Sequence, residues 1–540
     1  MAPAQSDYDY VIIGSGFGGS VSALRLSEKG YRVLVVEKGR RYKPEELSKG
    51  TSKPGAWIWD PKLGMRGIMQ LTFLRHVGVM SGVGVGGGSL VYGATLPTPK
   101  DSFFETGTWA KLGDWKSALA PHYETALKML GAQTNPRLAK ADIALQELAQ
   151  RFGRQDTFEP TRVGIFFGDG AKPGQEVEDP YFDGKGPNRK ACIQCGDCMT
   201  GCPYGAKNSL DQNYLYLAEG LGAEVLPETE VTSVSPSGAS DGSEGYFVDL
   251  SHTDKRRTLI RARGVVFAGG VMGTVPLLLK LRETGALPEL SEKLGQHVRT
   301  NNESLTSVTA VGDNPAFNDG VAIGSIFHPD EHSHVEPIRL GPRSGLWRLL
   351  LMPMATGNSL GRRLLSLAKT LVSDPVNYAR AIFKRQFGPR TICLLFMQHL
   401  DSSLTLKLGR AAKLKSHLEP SQTAPSADIA LSNELSLEME KVIGGKASRQ
   451  GSEILLGAPS TAHVLGGAVM GTDPSHGVID SENRVFGYDN MFVCDGSAVS
   501  ANPGVNPSLS ITAITEHAMS KVPHQTRNLA PPERVLAETA

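Results

Sequence analysis

Residues 8–39, YDYVIIGSGFGGSVSALRLSEKGYRVLVVEKG, limit what this chain can fold into more than any other stretch. Tyr10 to Ile13 is a short apolar run of the kind that forms a buried parallel strand. Gly14-Ser15-Gly16-Phe17-Gly18-Gly19 then matches G-x-G-x-x-G through Gly14, Gly16 and Gly19. Each glycine has its own reason. Gly14 allows the tight turn, Gly16 lets a pyrophosphate reach the backbone, and Gly19 lets a helix lie close to the strand. Val21, Leu24 and Leu26 continue as that helix, whose free N–H groups and positive end suit phosphate. A second apolar strand from Arg32 to Val36 ends at Glu37, where a carboxylate can take a ribose hydroxyl pair. The fingerprint therefore stands in the strand–turn–helix context that a dinucleotide site needs. Whether that dinucleotide is FAD or NAD is left open by these residues.

Two glycine-rich stretches and the chain order extend this reading. Gly occurs 61 times in 540 residues, above the usual ~7%. Ser81 to Thr95 reads SGVGVGGGSLVYGAT, with little side-chain bulk and many N–H groups, and runs into the apolar Leu90-Val91-Tyr92. It suits close backbone approach to a flat or anionic ligand, with Gly87, Ser89 and Gly93 as candidate cofactor contacts. Residues 109–152 have apolar spacing that predicts helix. Ala223–Leu226, Glu230–Val234, Phe247–Leu250 and Thr258–Arg261 predict strands. Val265 to Phe267 predicts a further buried strand that ends at Gly269-Gly270 and leads into a helix, a return to the first sheet. Ala462 to Gly467 precedes an expected hairpin. Asn490–Cys494 predicts a strand closed by Asp495-Gly496-Ser497, and Asn502 to Ser508 opens a last helix.

A net charge of +1 gives no case for nucleic acid. No apolar run reaches the ~18 residues of a spanning helix. The first strand starts without a charged-then-apolar leader, so a cytoplasmic protein is expected. From Pro337 to Arg390, ten Arg or Lys residues accompany one acid, Asp374, interleaved with leucines. Such a basic amphipathic surface can meet lipid or an apolar substrate, and equally can be helices whose polar faces are basic. Cys192, Cys195, Cys198 and Cys202 form C-x2-C-x2-C-x3-C-P, the ferredoxin pattern for an iron–sulfur cluster. Zinc, a pair of disulfides and bare thiols remain alternatives.

Together these pieces resemble the glucose–methanol–choline oxidoreductase family, and within it the cholesterol oxidase-like branch. The motifs that carry the resemblance are the fingerprint, Gly84-Val-Gly-Gly-Gly-Ser-Leu-Val91, Gly205-Ala-Lys-Asn-Ser209, His463-Val-Leu-Gly-Gly467 and Gly504-Val-Asn-Pro507. The resemblance covers roughly residues 8–300 and 455–522. It implies FAD rather than NAD, and an α/β fold: a Rossmann-like FAD-binding domain with a second α+β substrate domain whose sheet roofs the flavin. The implied division is 1–300 for the FAD domain, 301–455 for the substrate domain, 456–522 for a return to the FAD domain, and 523–540 for a flexible tail. Gly14, Gly16, Gly19 and Glu37 would hold the ADP half, with Val231 near the adenine. Asp495 and Gly496 would lie by the pyrophosphate or ribityl chain, and Asn506 and Pro507 by the flavin ring. His463 and Asn506 would be catalytic, with Glu303 or Glu336 as a third, carboxylate, member. Val464 stands where the family has Pro, and Tyr92 where secreted cholesterol oxidases have Asn. The expected activity is oxidation of a bulky lipophilic secondary alcohol, foremost a 3β-hydroxysterol, with O2 or another carrier as acceptor. The alternatives are a dehydrogenase of a non-steroid alcohol or of a steroid C–C bond, and an electron carrier with no substrate of its own.

Overall fold

The computed structural model describes residues 7–47, 51, 54–383, 385–420 and 422–525. The chain opens as expected with β1 (Tyr8–Ile13), α1 (Phe17–Glu28) and β2 (Val33–Val36), the two strands parallel with Tyr10 against Val33. All four residues of β2 are buried, as befits a strand covered on both faces. The next strands of this sheet come some two hundred residues later: β3 (Glu224–Leu226), β4 (Thr229–Pro236), β5 (Tyr246–His252) and β6 (Arg257–Phe267). The sheet has seven strands, in the order β3-β2-β1-β6-β5-β4 with one further strand beside β6. β6 is one continuous strand of 11 residues where two were expected. Its first half pairs antiparallel with β5 and its second half runs parallel to β1, so one strand joins a meander to the parallel core. A helix, α4 (Val271–Glu283), follows directly on Gly270, after two helices earlier in the chain, α2 (Trp115–Met129) and α3 (Lys140–Arg151). Those two divide the span predicted as helical over 109–152. Asp114 caps α2 by accepting from Ser117 N, and Gly131 adopts positive φ just beyond its end.

Residues 304–450 build a second, antiparallel sheet from β7 (Ser304–Ala310), β8 (Ser333–Arg339), β9 (Leu351–Pro353), β10 (Thr391–Gln398) and β11 (Gly445–Gln450), ordered β8-β10-β7-β11-β9. α5 (Leu360–Ser373) and α6 (Pro375–Phe383) lie outside it, while α7 (Ala430–Ile443) packs on β7. The chain then returns to the first sheet. β12 (Met491–Val493) pairs parallel with β6, Val265 facing Met491, and α8 (Ser508–Ser520) packs on α1 and α2. Arg25 of α1 and Glu516 of α8 form a mostly buried ion pair at 2.7 Å. The expected hairpin after Gly467 is not formed: Met470, Ile479 and Val485 meet only through isolated bridges. The tail beyond 525 and Lys384 lie outside the described residues. Among the described residues no helix is long and apolar enough to cross a membrane.

Candidate active site

A cavity of about 570 Å³ runs along the carboxyl ends of the parallel strands and beneath the second sheet. Three helix N-termini open onto it: Gly16 and Phe17 of α1, Gly270 to Thr274 at α4, and Pro507 and Ser508 at α8. Three positive helix ends around one space suit an elongated anionic ligand, a diphosphate with a ring that takes on negative charge.

The glycines show why this space stays open. A Cβ on Gly14 (φ +104°) would lie 2.4 Å from Ala268 O, and one on Gly19 2.1 Å from Gly14 O. A Cβ on Gly16 would meet nothing within 4 Å, the clearance a phosphate needs. Gly87, at positive φ, packs against Gly16, so the Ser81–Thr95 loop lies over the fingerprint. Gly87 and Gly93 line the cavity, but Ser89 does not. Ser89 is fully buried, donates to Gly86 O and accepts from Leu210 N at 3.0 Å, so it braces the loop instead of contacting a cofactor. Glu37 reaches the cavity, yet its carboxylate also accepts from Ser15 Oγ at 2.7 Å and Gly39 N at 2.9 Å, tying the fingerprint turn. Val231, Asp495, Gly496, Asn506 and Pro507 line the cavity too. Asp495 accepts from Gly270 N and Thr274 Oγ1, and burial raises its carboxyl above the usual range despite those donors. Gly269, Gly270 and Thr274 were missed as site residues. The strand, Gly-Gly and helix at 265–281 carried the signal, a second strand–glycine–helix unit beside the first.

At the far end stand the two side chains expected to be catalytic. The short strand Ser460–Thr461 runs parallel to Gly78–Gly82, and His463 follows it to the cavity wall. His463 Nδ1 contacts the buried carboxylate of Glu303, whose other oxygen accepts from Ala462 N at 2.9 Å. Burial alone would lower the imidazole pKa, but the Glu303 charge and hydrogen bond, with Glu336 nearby, raise it above its ordinary value. An acceptor-only carboxylate at Nδ1 keeps a proton there, so Nε2 is the basic atom. Asn506 Nδ2 donates to Glu336 Oε2 at 3.2 Å, and Asn506 Oδ1 is buried without a partner. Glu336 is fully buried on β8. Both candidate carboxylates therefore belong to the site, one behind each catalytic candidate. Tyr92 lines the cavity, stacks edge-on with Phe17 at 5.5 Å and gives its hydroxyl to Asn208 O.

The cysteine loop is a different matter. Cys192, Cys195, Cys198 and Cys202 do gather around one small cavity with Lys207 beside it, but the space is about 10 Å³, room for roughly one water-sized sphere. All four thiols are free. Burial pushes Cys192 up to about 12 and Cys195 to about 11, and raises Cys198 further. Among the described residues no group of three or more His, Cys, Asp or Glu side chains is placed to hold a metal ion. The donor set does not fit the expected iron–sulfur cluster. Lys207 instead donates to Leu90 O at 2.9 Å and Cys198 O at 2.7 Å, clasping the cysteine loop to the glycine-rich loop.

Comparison with known proteins agrees with the large cavity. Two models described as GMC oxidoreductase match residues 184–299 and 438–515, and one described as NAD(P)-binding Rossmann-like domain matches residues 12–42. A cholesterol oxidase of Mycobacterium tuberculosis (strain ATCC 25618 / H37Rv) is 45% identical over 536 residues, covering 96% of this chain and 92% of the relative. A cholesterol oxidase of Acinetobacter baumannii is 41% identical over 530 residues, covering 96% and 94%. The crystal structure of pyridoxine 4-oxidase from Mesorbium loti superposes with a TM-score of 0.59 at 16% identity, over 96% of this chain and all of that one, a likeness of fold alone.

Proposed function

Because the chain belongs to the GMC oxidoreductase family, and is thereby an FAD-dependent oxidoreductase acting on CH–OH groups, we propose that its substrate is a bulky lipophilic secondary alcohol, foremost a 3β-hydroxysterol, and that O2 takes the electrons. The observation that carries the choice of substrate is the pairing of two carboxylate-backed side chains with an apolar wall. His463 and Asn506 supply the polar end of the cavity, and Met69, Val79, Leu305, Ile338, Trp347 and Leu395 supply much of the rest. A flat hydrocarbon with one hydroxyl meets both demands, and the relatives named above act in the same sense.

FAD, when bound, supplies the acceptor for the carbinol hydride. The chain's own residues do the proton work. Gly14, Gly16 and the three helix N-termini would hold the dinucleotide, with Val231 at the adenine end and Asp495 ordering the α4 N-terminus. Glu336 fixes the Asn506 amide at the polar end of the cavity, where it orients the substrate hydroxyl by hydrogen bonding without titrating. His463 Nε2 takes the O–H proton as general base, and Glu303 stabilises the imidazolium that results. On this reading residues 304–450 form the substrate side and the remainder the FAD side.

A lipophilic substrate must be collected from lipid. We therefore assign membrane contact to α5 and α6, where Leu365, Val372 and Phe383 are each more than two-thirds exposed beside Arg362, Lys369 and Arg380.

Anaerobic titration with a 3β-hydroxysterol, followed by visible absorption, tests the substrate and acceptor together. The expected result is bleaching of the flavin bands and recovery on admitting air. Bleaching that persists in air but reverses with an artificial acceptor would replace O2 by another carrier. No bleaching would remove the sterol.

A further inference from the structure

Lys207 lies between the cysteine loop and the glycine-rich loop, and the chemistry above makes no use of its charge. The residue is 2% exposed. Its Nζ donates to three backbone carbonyls: Leu90 O at 2.9 Å, Cys198 O at 2.7 Å and Tyr92 O at 3.4 Å. Three acceptors suit an ammonium, which has three N–H bonds and no lone pair, whereas a neutral amine would turn its lone pair towards one of these oxygens. Burial draws Lys207 down to about 8, with Cys198, Cys202 and Asp211 acting the other way, so the charge is present at neutral pH. Its hydrogen bonds all go to carbonyls, and Asp211 acts on it only from a distance. A buried charge without a counter-ion is costly. Neutral donors would suffice to clasp two loops together, so the charge itself calls for a use.

The large cavity is one peptide layer away. Val91, Tyr92 and Gly93 line it, and the oxygens of Leu90 and Tyr92 that hold Lys207 belong to the peptides Leu90–Val91 and Tyr92–Gly93. In a planar trans peptide the N–H points opposite to the C=O, so the Gly93 N–H faces away from Lys207. Gly93 is buried, and among the described residues its N–H reaches no protein acceptor. Buried N–H groups are seldom left unpaired, which marks this one as a donor kept for a ligand. A positive charge on the oxygen of the same peptide strengthens that donor. The ammonium also lies 5.1 Å from the centroid of the Tyr92 ring, which itself stacks edge-on with Phe17 at the α1 N-terminus.

We propose that Lys207 is a positioning residue: acting through Tyr92 and the Gly93 peptide, its fixed positive charge stabilises the negative charge that the flavin ring takes on when it is reduced. The inference rests on the FAD cofactor and on alcohol oxidation in general, not on the sterol. The alcohol gives its carbinol hydride, with the electron pair of the broken C–H bond, to the ring and its hydroxyl proton to His463. The O–H electron pair becomes the second bond of the carbonyl, so the ring gains one negative charge and His463 one positive charge. The charge on His463 comes and goes with the proton, whereas that of Lys207 is in place before the transfer and costs no reorganisation. Attraction between charges falls only with the inverse of distance and is strong where water is excluded, so one layer of peptide does not abolish it.

The test is the midpoint potential of the bound flavin at pH 7, measured by equilibration with a dye of known potential. Lys207→Met and Lys207→Gln remove the charge, and Lys207→Arg keeps it. Reduction should become about tenfold less favourable in both neutral variants, a fall of about 30 mV for a two-electron couple. Lys207→Arg should stay near the natural potential, and anaerobic bleaching by an alcohol should slow only in the neutral pair. A natural potential in either neutral variant, or an equal fall in Lys207→Arg, overturns the inference. Flavin kept by Lys207→Arg but lost from both neutral variants would place the requirement on the charge and support it. Flavin lost from all three would show a clasp and nothing more, which overturns it. Natural protein that neither carries nor takes up FAD would instead overturn the cofactor on which the inference rests.

Discussion

Glu303 does for His463 what an exposed carboxylate could not, because Glu303 is buried and His463 mostly so, and their attraction is little screened. The sign of its effect on activity can be worked out. A base works when deprotonated, and Glu303 raises the pKa of this one, so the acid limb of flavin reduction should lie above the pH set by an isolated imidazole. In Glu303→Gln the charge is gone while burial remains, so the limb should move to lower pH and the rate should fall. In His463→Ala, reduction by substrate should drop by ~10²–10⁴-fold with FAD still bound. Rapid-mixing rates across pH check both, and an unmoved limb in Glu303→Gln would contradict the assignment. His463 and Asn506 were legible in the sequence because each sits in a short motif. Their partners were named only as alternatives, Glu303 or Glu336, since Glu336 lies 170 positions from Asn506 and only the sheet brings the two together.

The glycine-rich loops are decisive at the scale of the element. Gly87 (φ +52°) would place a Cβ 2.6 Å from Gly16 Cα, so neither loop can shift alone. Gly87→Ala combines that overlap with a left-handed backbone that costs ~1–2 kcal/mol for a residue with a side chain. The expected outcome is protein purified largely without flavin, read from the ratio of visible to ultraviolet absorbance. Full flavin content would show that the loops are not interlocked. Local pattern revealed these turns because glycine has a backbone meaning. It misread Ser89, whose hydroxyl faces inward to Leu210 N, and it misread the cysteine run, where spacing alone does not tell a cluster from packed thiols. The long strand β6 was divided in two because Arg261 and Arg263 interrupt an apolar pattern whose partners change halfway along.

Taken whole, the molecule places a dinucleotide fold under an antiparallel sheet, with a basic and apolar outer face on α5 and α6. If that face meets lipid, the full chain should sediment with vesicles containing anionic lipid, bind less in high salt, and bind less again in Leu365→Asp with Phe383→Asp. No sedimentation with anionic vesicles would remove membrane contact and leave the active site untouched. The dinucleotide fold was readable from residues 8–39, but the roof came only from the family resemblance, because its strands come from a segment whose pairing is all long-range.

The return of β12 and α8 to the first sheet has a consequence for biosynthesis. The second half of β6 lacks its partner on one side, and α1 lacks the helix that covers it, until Met491 and the residues after it have been made. At ~5–20 residues per second, about 20–90 s separate synthesis of β2 from that of β12. During that interval the nascent chain carries an open strand edge and an uncovered apolar helix. Cofactor loading therefore belongs after translation, and the half-made enzyme is a natural client for chaperones.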